Sequence, residues 1–189
     1  MPIPLLTPRL ELRDFRPDDF AAVHAYGSDP KVTLYTAFGP NTEEQTRAFL
    51  DRVAEESAAE PREHHNLAVV DRESGALFGG CGLIGRGERT HEIGYVLHRD
   101  WWGRGFATEI VRALLDFGFG ELAAHRIYAR VAPENEASSR VLLKHGFRLE
   151  GHLRKECFVR GEWQDSLLYA ILEEDRGELQ PRGLTPGLL

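Results

Sequence analysis

Apolar and polar positions first alternate with period two in "RLELRDF" (Arg9–Phe15), the pattern of a half-buried strand. Pro17 then sits where a first helical turn tolerates it, and "DDFAAVHAYG" predicts a short helix stopped at Gly27. Asn41 or Thr42 caps a second helix, "TEEQTRAFLDRVAEESAAE", with Gln45 placed for a capping box. Leu67–Val70, Leu77–Ile84 and His91–Leu97 predict three strands parted by Gly-rich turns, spaced for antiparallel pairing. Within Arg104–Phe117 the period lengthens, and Phe106, Ile110, Val111, Leu114 and Phe117 fall on one helical face. A strand "RIYARVA" and a helix "NEASSRVLLKHG" ended by Gly146 follow. Two strands, "FRLEGHLRKECFV" and "WQDSLLYAIL", close the chain around the turn "RGE". The order β-α-α-β-β-β-α-β-α-β-β contains one βαβ crossover, which requires a parallel pair amid hairpins. The expected fold is a mixed α/β, largely antiparallel sheet with flanking helices in one domain, residues 1–175. The stretch "RGELQPRGLTPGLL" reads as a flexible tail, residues 176–189.

Composition narrows the class. A chain of 189 residues, 42% hydrophobic and 28% charged, suits one soluble domain. No apolar run approaches the ~20 residues needed to span a bilayer, and "MPIPLLTPRLELRDF" lacks the basic start of a secretory signal. Two cysteines, Cys81 and Cys157, are too few for a disulfide framework, so a cytoplasmic protein is expected. The formal charge of −7 disfavours nucleic acid as a partner and suits a cationic one.

Two glycine clusters compete for attention. Gly80-Cys-Gly82-Leu-Ile-Gly85 spells G-x-G-x-x-G, but a strand rather than a helix follows it, so no helical amides would meet a pyrophosphate. In "EIGYVLHRDWWGRGFATE" the context is right: a strand, a short connector, then Gly103-Arg-Gly105 opening an amphipathic helix. Unpaired amides at the positive end of that helix can hold a phosphate, Thr108 can add a hydroxyl, and Arg104 either reaches phosphate or lies in solvent. The loop has no Lys-Ser/Thr and is not a Walker A site. Too few α/β units follow for a dinucleotide fold, which leaves the pyrophosphate of coenzyme A.

At this point the chain resembles the GNAT superfamily of acetyl-CoA-dependent N-acetyltransferases, and more narrowly its RimJ/RimL type. The blocks that carry this are "LLTPRLELRDFRPDDF", "EIGYVLHRDWWGRGFATEIVRALLDFGF", "RIYARVAPENEASSRVLLKHGFRLEGHLRK" and "GEWQDSLLYAIL". The family's loop Q/R-x-x-G-x-G/A is met at Gly103 and Gly105, with Asp100 in the first position. The resemblance implies that amides of Gly103, Arg104, Gly105, Phe106 and Ala107 hold the pyrophosphate of acetyl-CoA. It also implies that strand His91–Leu97 splays from Arg126–Val131, with pantetheine pairing to backbone around Val96, Leu97 and His98 as an added strand. A backbone N–H there would polarise the thioester carbonyl. Asn135 resembles the family's asparagine on the pantetheine arm, and also suits a helix N-cap. Trp101 and Trp102 would pack the loop onto the body.

For chemistry, an amine must arrive unprotonated, and a carboxylate is the expected base. Glu92, on the face shared by Gly94 and Val96, is the first choice, with an edge carboxylate in solvent as the plain alternative. The family's tyrosine seven residues after the asparagine is here Leu142. Ser138 takes its place near the leaving sulfur, or else satisfies helix amides. Glu156 or Asp165 would read the amine's charge, and Cys157 reads as a packed strand residue. His64 and His65 are consecutive and point oppositely, so no metal is expected. The function that follows is N-acetylation of a protein N-terminal amine, a ribosomal protein included, or of a small amine. A catalytically silent acyl-CoA-binding module is the alternative, and an NAD(P)-dependent oxidoreductase the third reading. No membrane partner is expected, and oligomeric state stays open, a homodimer included.

Overall fold

The computed structural model describes residues 3–175. The proposed tail, 176–189, lies outside the described residues. Eight strands form one sheet in the order β1-β2-β3-β4-β5-β6-β8-β7. They are β1 (Leu5–Leu6), β2 (Leu10–Asp14), β3 (His64–Asp71), β4 (Leu77–Gly85), β5 (Thr90–Leu97), β6 (Arg126–Val131), β7 (Arg148–Val159) and β8 (Glu162–Leu172). Every neighbouring pair is antiparallel except β5–β6, the crossover the element order required. The four helices are α1 (Phe20–Gly27), α2 (Glu43–Ala58), α3 (Phe106–Gly120) and α4 (Glu136–Lys144).

Local chemistry fixes the boundaries. Thr42 caps α2: its Oγ1 accepts the Gln45 N–H at 3.2 Å, and Gln45 Oε1 accepts the Thr42 N–H at 2.8 Å. The β7–β8 turn runs through Arg160 and Gly161, both at positive φ, the geometry that suits a two-residue hairpin. The pairing of β7 outside β8 was not foreseen, because a hairpin can add to a sheet by either of its strands.

Both faces of the sheet are covered. Leu67, Leu83, Ile93 and Ile127 pack on one side against Ile110, Val111, Leu114 and Phe117 of α3, all 0–4% exposed. Val23 and Tyr26 of α1 and Leu50 and Val53 of α2 form a smaller core on the other side, against Phe15, Leu77 and Val96. The glycines of β4 belong to this packing. A Cβ on Gly82 would lie 2.5 Å from the His65 carbonyl, and one on Gly80 would lie 3.1 Å from Tyr26 Oη. The letters G-x-G-x-x-G therefore record close strand packing.

His64 and His65 point to opposite faces. His64 Nδ1 meets Glu56 of α2 at 3.1 Å, whereas His65 is 6% exposed and stands edge-on to Phe117 of α3, ring centroids 5.1 Å apart. The Nδ1 atoms of His65 and His91 are both buried without a partner. Burial, with the charges of Arg62 and His91 adding to it, pushes the His65 pKa down to about 4. An unfolded histidine titrates near ~6.5, so between these values the unfolded chain holds a proton that the folded chain does not. The resulting stability is complete above ~6.5 and is lost as pH falls towards 4, by roughly 2–3 kcal/mol. Denaturant titrations at stepped pH are expected to show this loss, and His65→Phe to flatten it. An identical pH slope in the variant would refute the assignment.

Candidate active site

The site begins where two strands part. β5 and β6 pair at only three positions, Thr90 with Arg126, His91 with Ile127 and Glu92 with Tyr128. Beyond Glu92, β5 stays on β4 as far as Leu97 and β6 stays on β8 as far as Val131, so a gap opens between them. The His98 N–H donates to the Phe78 carbonyl at 2.7 Å. By the alternation of an antiparallel ladder, residues 94, 96 and 98 spend their backbone groups on β4, and 95 and 97 face the gap. This corrects the expected stretch of Val96, Leu97 and His98: Val96 and His98 are turned away. The Leu97 carbonyl accepts the Trp102 indole N–H at 2.8 Å. The amides of Tyr95 and Leu97 are left facing the gap with no strand partner.

At the gap's mouth α3 begins. Gly103 and Gly105 have φ of 72° and 78°, the left-handed region in which a side chain is strained, and Gly105 is the N-cap. The first in-helix bond is from Glu109 N–H to the Gly105 carbonyl at 3.2 Å, so the amides of Phe106, Ala107 and Thr108 point free. Two tryptophans brace this bare loop. Trp101 stacks on Phe78 with centroids 4.0 Å apart, Phe106 leans on both, and Trp102 ties the loop to β5 through Leu97. Of the two places open to the Arg104 side chain, phosphate or solvent, it takes an exposed one against aromatic rings. Its guanidinium lies over Trp101 and Phe106, at 4.8 and 5.2 Å, and it lines neither cavity described below.

A second arginine, unforeseen, holds the helix start. Arg9 lies 4.2 Å over Phe106 and donates to the Arg104 carbonyl at 3.0 Å and to Glu109 at 2.7 Å. Burial works against the Glu109 carboxylate, yet hydrogen bonds from Thr7 and Arg9 outweigh it and hold its pKa below the usual range. No local signal joins Arg9 to Glu109, since the two lie 100 residues apart in the chain.

Two cavities flank β5. One, of about 820 Å³, is lined by Val96, Leu97, Gly103, Gly105, Phe106, Ala107, Thr108, Asn135 and Ser138, with Lys31, Arg140 and Lys144 adding positive charge. The other, of about 750 Å³, lies between α1, α2, β4, β5 and the tip of the β7–β8 hairpin. They share Thr36, Gly94, Tyr95 and Val96. A Cβ on Gly94 would meet nothing within 4 Å, so the strand there leaves open space between the chambers.

Asn135 caps α4, its Oδ1 accepting the Ser138 N–H at 3.2 Å, and the residue lines the first cavity. Leu142 is buried in the core at 1% exposure. Tyr95 was missed in the sequence because its place in "EIGYVL" reads as an ordinary core position. Its Oη is buried and lacks a hydrogen-bond partner of normal geometry, and the residue lines both cavities. Burial pushes the Tyr95 phenol up, with the neighbouring Ser138 hydroxyl offsetting part of that shift.

Glu92 lines neither cavity. Its carboxylate accepts from Arg86 Nε at 2.9 Å and from Arg130 Nε and Nη2, each at 2.9 Å. Arg130 also donates to Glu156 at 2.6 Å, and Glu156 accepts the Ser166 hydroxyl at 3.0 Å. Burial opposes the Arg130 cation, but its bonds to Glu156 and Glu92 raise its pKa. Asp165 is held by His152 at 2.6 Å and by the Lys155 N–H at 2.9 Å. Neither Glu156 nor Asp165 lines the cavities, and Cys157 packs by Ser166 and the Gln164 carbonyl. Among the described residues no helix is long and apolar enough to cross a membrane, and no cluster of three or more His, Cys, Asp or Glu is placed to hold a metal.

Known proteins share this arrangement. A family profile for the acetyltransferase (GNAT) domain matches residues 9–148. YnaD, an uncharacterised N-acetyltransferase of Bacillus subtilis, is 38% identical over 173 residues, 90% of this chain and 98% of its own. The structure of a GNAT-family acetyltransferase from Bacillus anthracis aligns with a TM-score of 0.80 at 36% identity, covering 90% of this chain and 98% of that one. Spermidine N-acetyltransferase from Vibrio cholerae, in complex with CoA and spermine, aligns with a TM-score of 0.77 at 25% identity, covering 90% and 99%. The parted strands, the glycine-opened helix and these matches agree, and the chain belongs to the GNAT family of acetyltransferases.

Proposed function

We propose that the protein transfers the acetyl group of acetyl-CoA directly to a primary amine, a protein N-terminal amine or a small one, in the manner of the RimJ/RimL type. The observation that carries this is the pair of cavities meeting at Gly94–Val96, just beyond the fork of β5 and β6. The CoA held by the Vibrio cholerae neighbour supports the donor, and the four sequence blocks support the subtype. The fork suits a pantetheine arm, because Tyr95 and Leu97 offer strand-like amides with nothing opposite. The head of α3 suits a pyrophosphate, because its free amides lie at the positive end of a 15-residue helix.

Acetyl-CoA supplies the acyl group as a thioester. The amine nitrogen forms a bond to the acetyl carbon while the carbon–sulfur bond breaks, giving an amide and a thiol. The Tyr95 or Leu97 amide donates to the thioester oxygen across the gap. Tyr95 Oη, kept protonated by its burial and oriented by Ser138, gives the sulfur its proton and regains one from the amine through water. Asn135 holds the arm through its free amide nitrogen. Glu92 clasps Arg130 where the strands diverge; its lone pairs are engaged, so the amine's proton leaves through water.

Coenzyme A release, with product mass spectrometry on a panel of amines, tests the whole proposal. Binding of acetyl-CoA without release on any amine would favour the silent module. Gly105→Val places a branched side chain at a left-handed position in the loop, and calorimetry is expected to show at least tenfold weaker acetyl-CoA binding; undiminished affinity would sink the phosphate site. Tyr95→Phe should lower kcat by about 10²-fold, in the range of a lost general acid, with acetyl-CoA affinity preserved. An unchanged kcat would strip Tyr95 of that role. Glu92→Gln is expected to cost less than tenfold in kcat and to keep the wild-type pH dependence, whereas loss of the acidic limb of the profile would return the base to Glu92.

A further inference from the structure

The acceptor-side cavity is unlike the rest of this acidic chain. Its charged lining consists of Arg52 from α2 and Arg160 from the β7–β8 turn, and among the described residues no carboxylate lines it. The carboxylates of the surrounding elements are occupied elsewhere. Glu56 accepts from Asn66 at 2.7 Å, meets His64 at 3.1 Å and lies 3.8 Å from Arg52, so it partly offsets that cation from outside the lining, while Asp14 is paired with Arg62, and Glu92 and Glu156 share Arg130. Arg160 donates to the carbonyls of Thr33, Leu34, Thr36, Phe38 and Gly39, pinning the segment between α1 and α2 with bonds to neutral groups that bring no opposite charge.

The remaining walls are aromatic and neutral polar. Phe15 and Phe49 meet edge to face at 5.3 Å, and Phe38 and Phe158 stand at the rim, 42% and 60% exposed. Phe49 already carries the Arg52 guanidinium 5.5 Å over its ring, so that face is taken by a cation of the protein itself. Asn41, Gln45 and Asn66 supply uncharged hydrogen-bonding groups.

We infer that the acceptor is a primary amine on an apolar or aromatic body that carries no second positive charge, and that polyamines are poor acceptors. The inference rests on the acetyl-transfer reading and refines its substrate. A polycation entering this chamber loses water from every ammonium and finds guanidinium groups where it needs carboxylates. An arylalkylamine meets ring faces with its body and presents a single nitrogen at Gly94–Val96.

The test compares kcat/KM for phenethylamine, phenylalaninamide, spermidine and spermine at low ionic strength, after acetyl-CoA binding has been established by calorimetry. The two aromatic amines are expected to exceed the polyamines at least tenfold. Arg52→Glu, at a side chain 61% exposed, should narrow that ratio by raising turnover of spermidine. Polyamines matching or exceeding the aromatic amines in the native protein would overturn the inference while leaving acetyl transfer intact. An unaltered ratio in Arg52→Glu would overturn charge as its cause. If acetyl-CoA binds and no amine is consumed, the transfer reading itself fails.

Discussion

The architecture depends on two strands that begin as a parallel pair and then stop pairing. A sheet ordinarily satisfies every backbone group, and unpaired ones in a protein interior are costly. Here the fork is held open from both sides, since β5 is committed to β4 over its whole length and β6 to β8. Neither can close the gap without breaking a longer ladder. The unmet amides of Tyr95 and Leu97 are thus a standing demand for an extended ligand. The clasp of Arg130 on Glu92 marks where that demand starts, two residues past the last paired position of β6.

The glycine loop before α3 follows from the same economy of backbone groups. Glycines at positive φ turn the chain so that three helix amides face outward, but glycines cannot hold a loop in place. Trp101, Phe78 and Phe106 supply a packed aromatic layer beneath it, and Trp102 a hydrogen bond to the strand that borders the gap. Two costly aromatics beside a bare loop are therefore a division of labour. The glycines give access and the tryptophans give rigidity, which the proposed anion site needs.

Much of this was legible in the chain. Period-two and period-3.6 stretches located the elements, the Thr42–Gln45 box marked the start of α2, and strand-loop-helix context separated the useful glycine cluster from the packing one. Long-range partnerships were not legible. Arg9 with Glu109, Arg130 between Glu92 and Glu156, and Arg160 on five carbonyls each join residues with no local pattern to connect them. Those contacts decide which charges stay free, so the placement of side chains could not be read from the sequence. Arg104 lies over the rings of Trp101 and Phe106, Glu92 is bonded to two arginines, and the gap-facing backbone shifted by one residue, because strand alternation is settled by pairing partners rather than by motif letters.

The engaged carboxylates and the arginine-lined chamber bear on one chemical difficulty, the proton on the amine. An ammonium in water keeps its proton because water solvates the charge. In a largely apolar chamber that solvation is lost, and like charges nearby disfavour the charged form further, so the amine's own pKa falls. Arg160, and Arg52 so far as Glu56 behind it leaves its charge unbalanced, act in that direction on any amine seated beside them, and no carboxylate stands in the lining itself. On the acetyl-transfer reading, deprotonation is then a property of the chamber rather than the task of one base. A free carboxylate there would hold the ammonium as an ion pair and slow its attack. The protein's many acids serve better where they are found, fastening arginines to strands around the site.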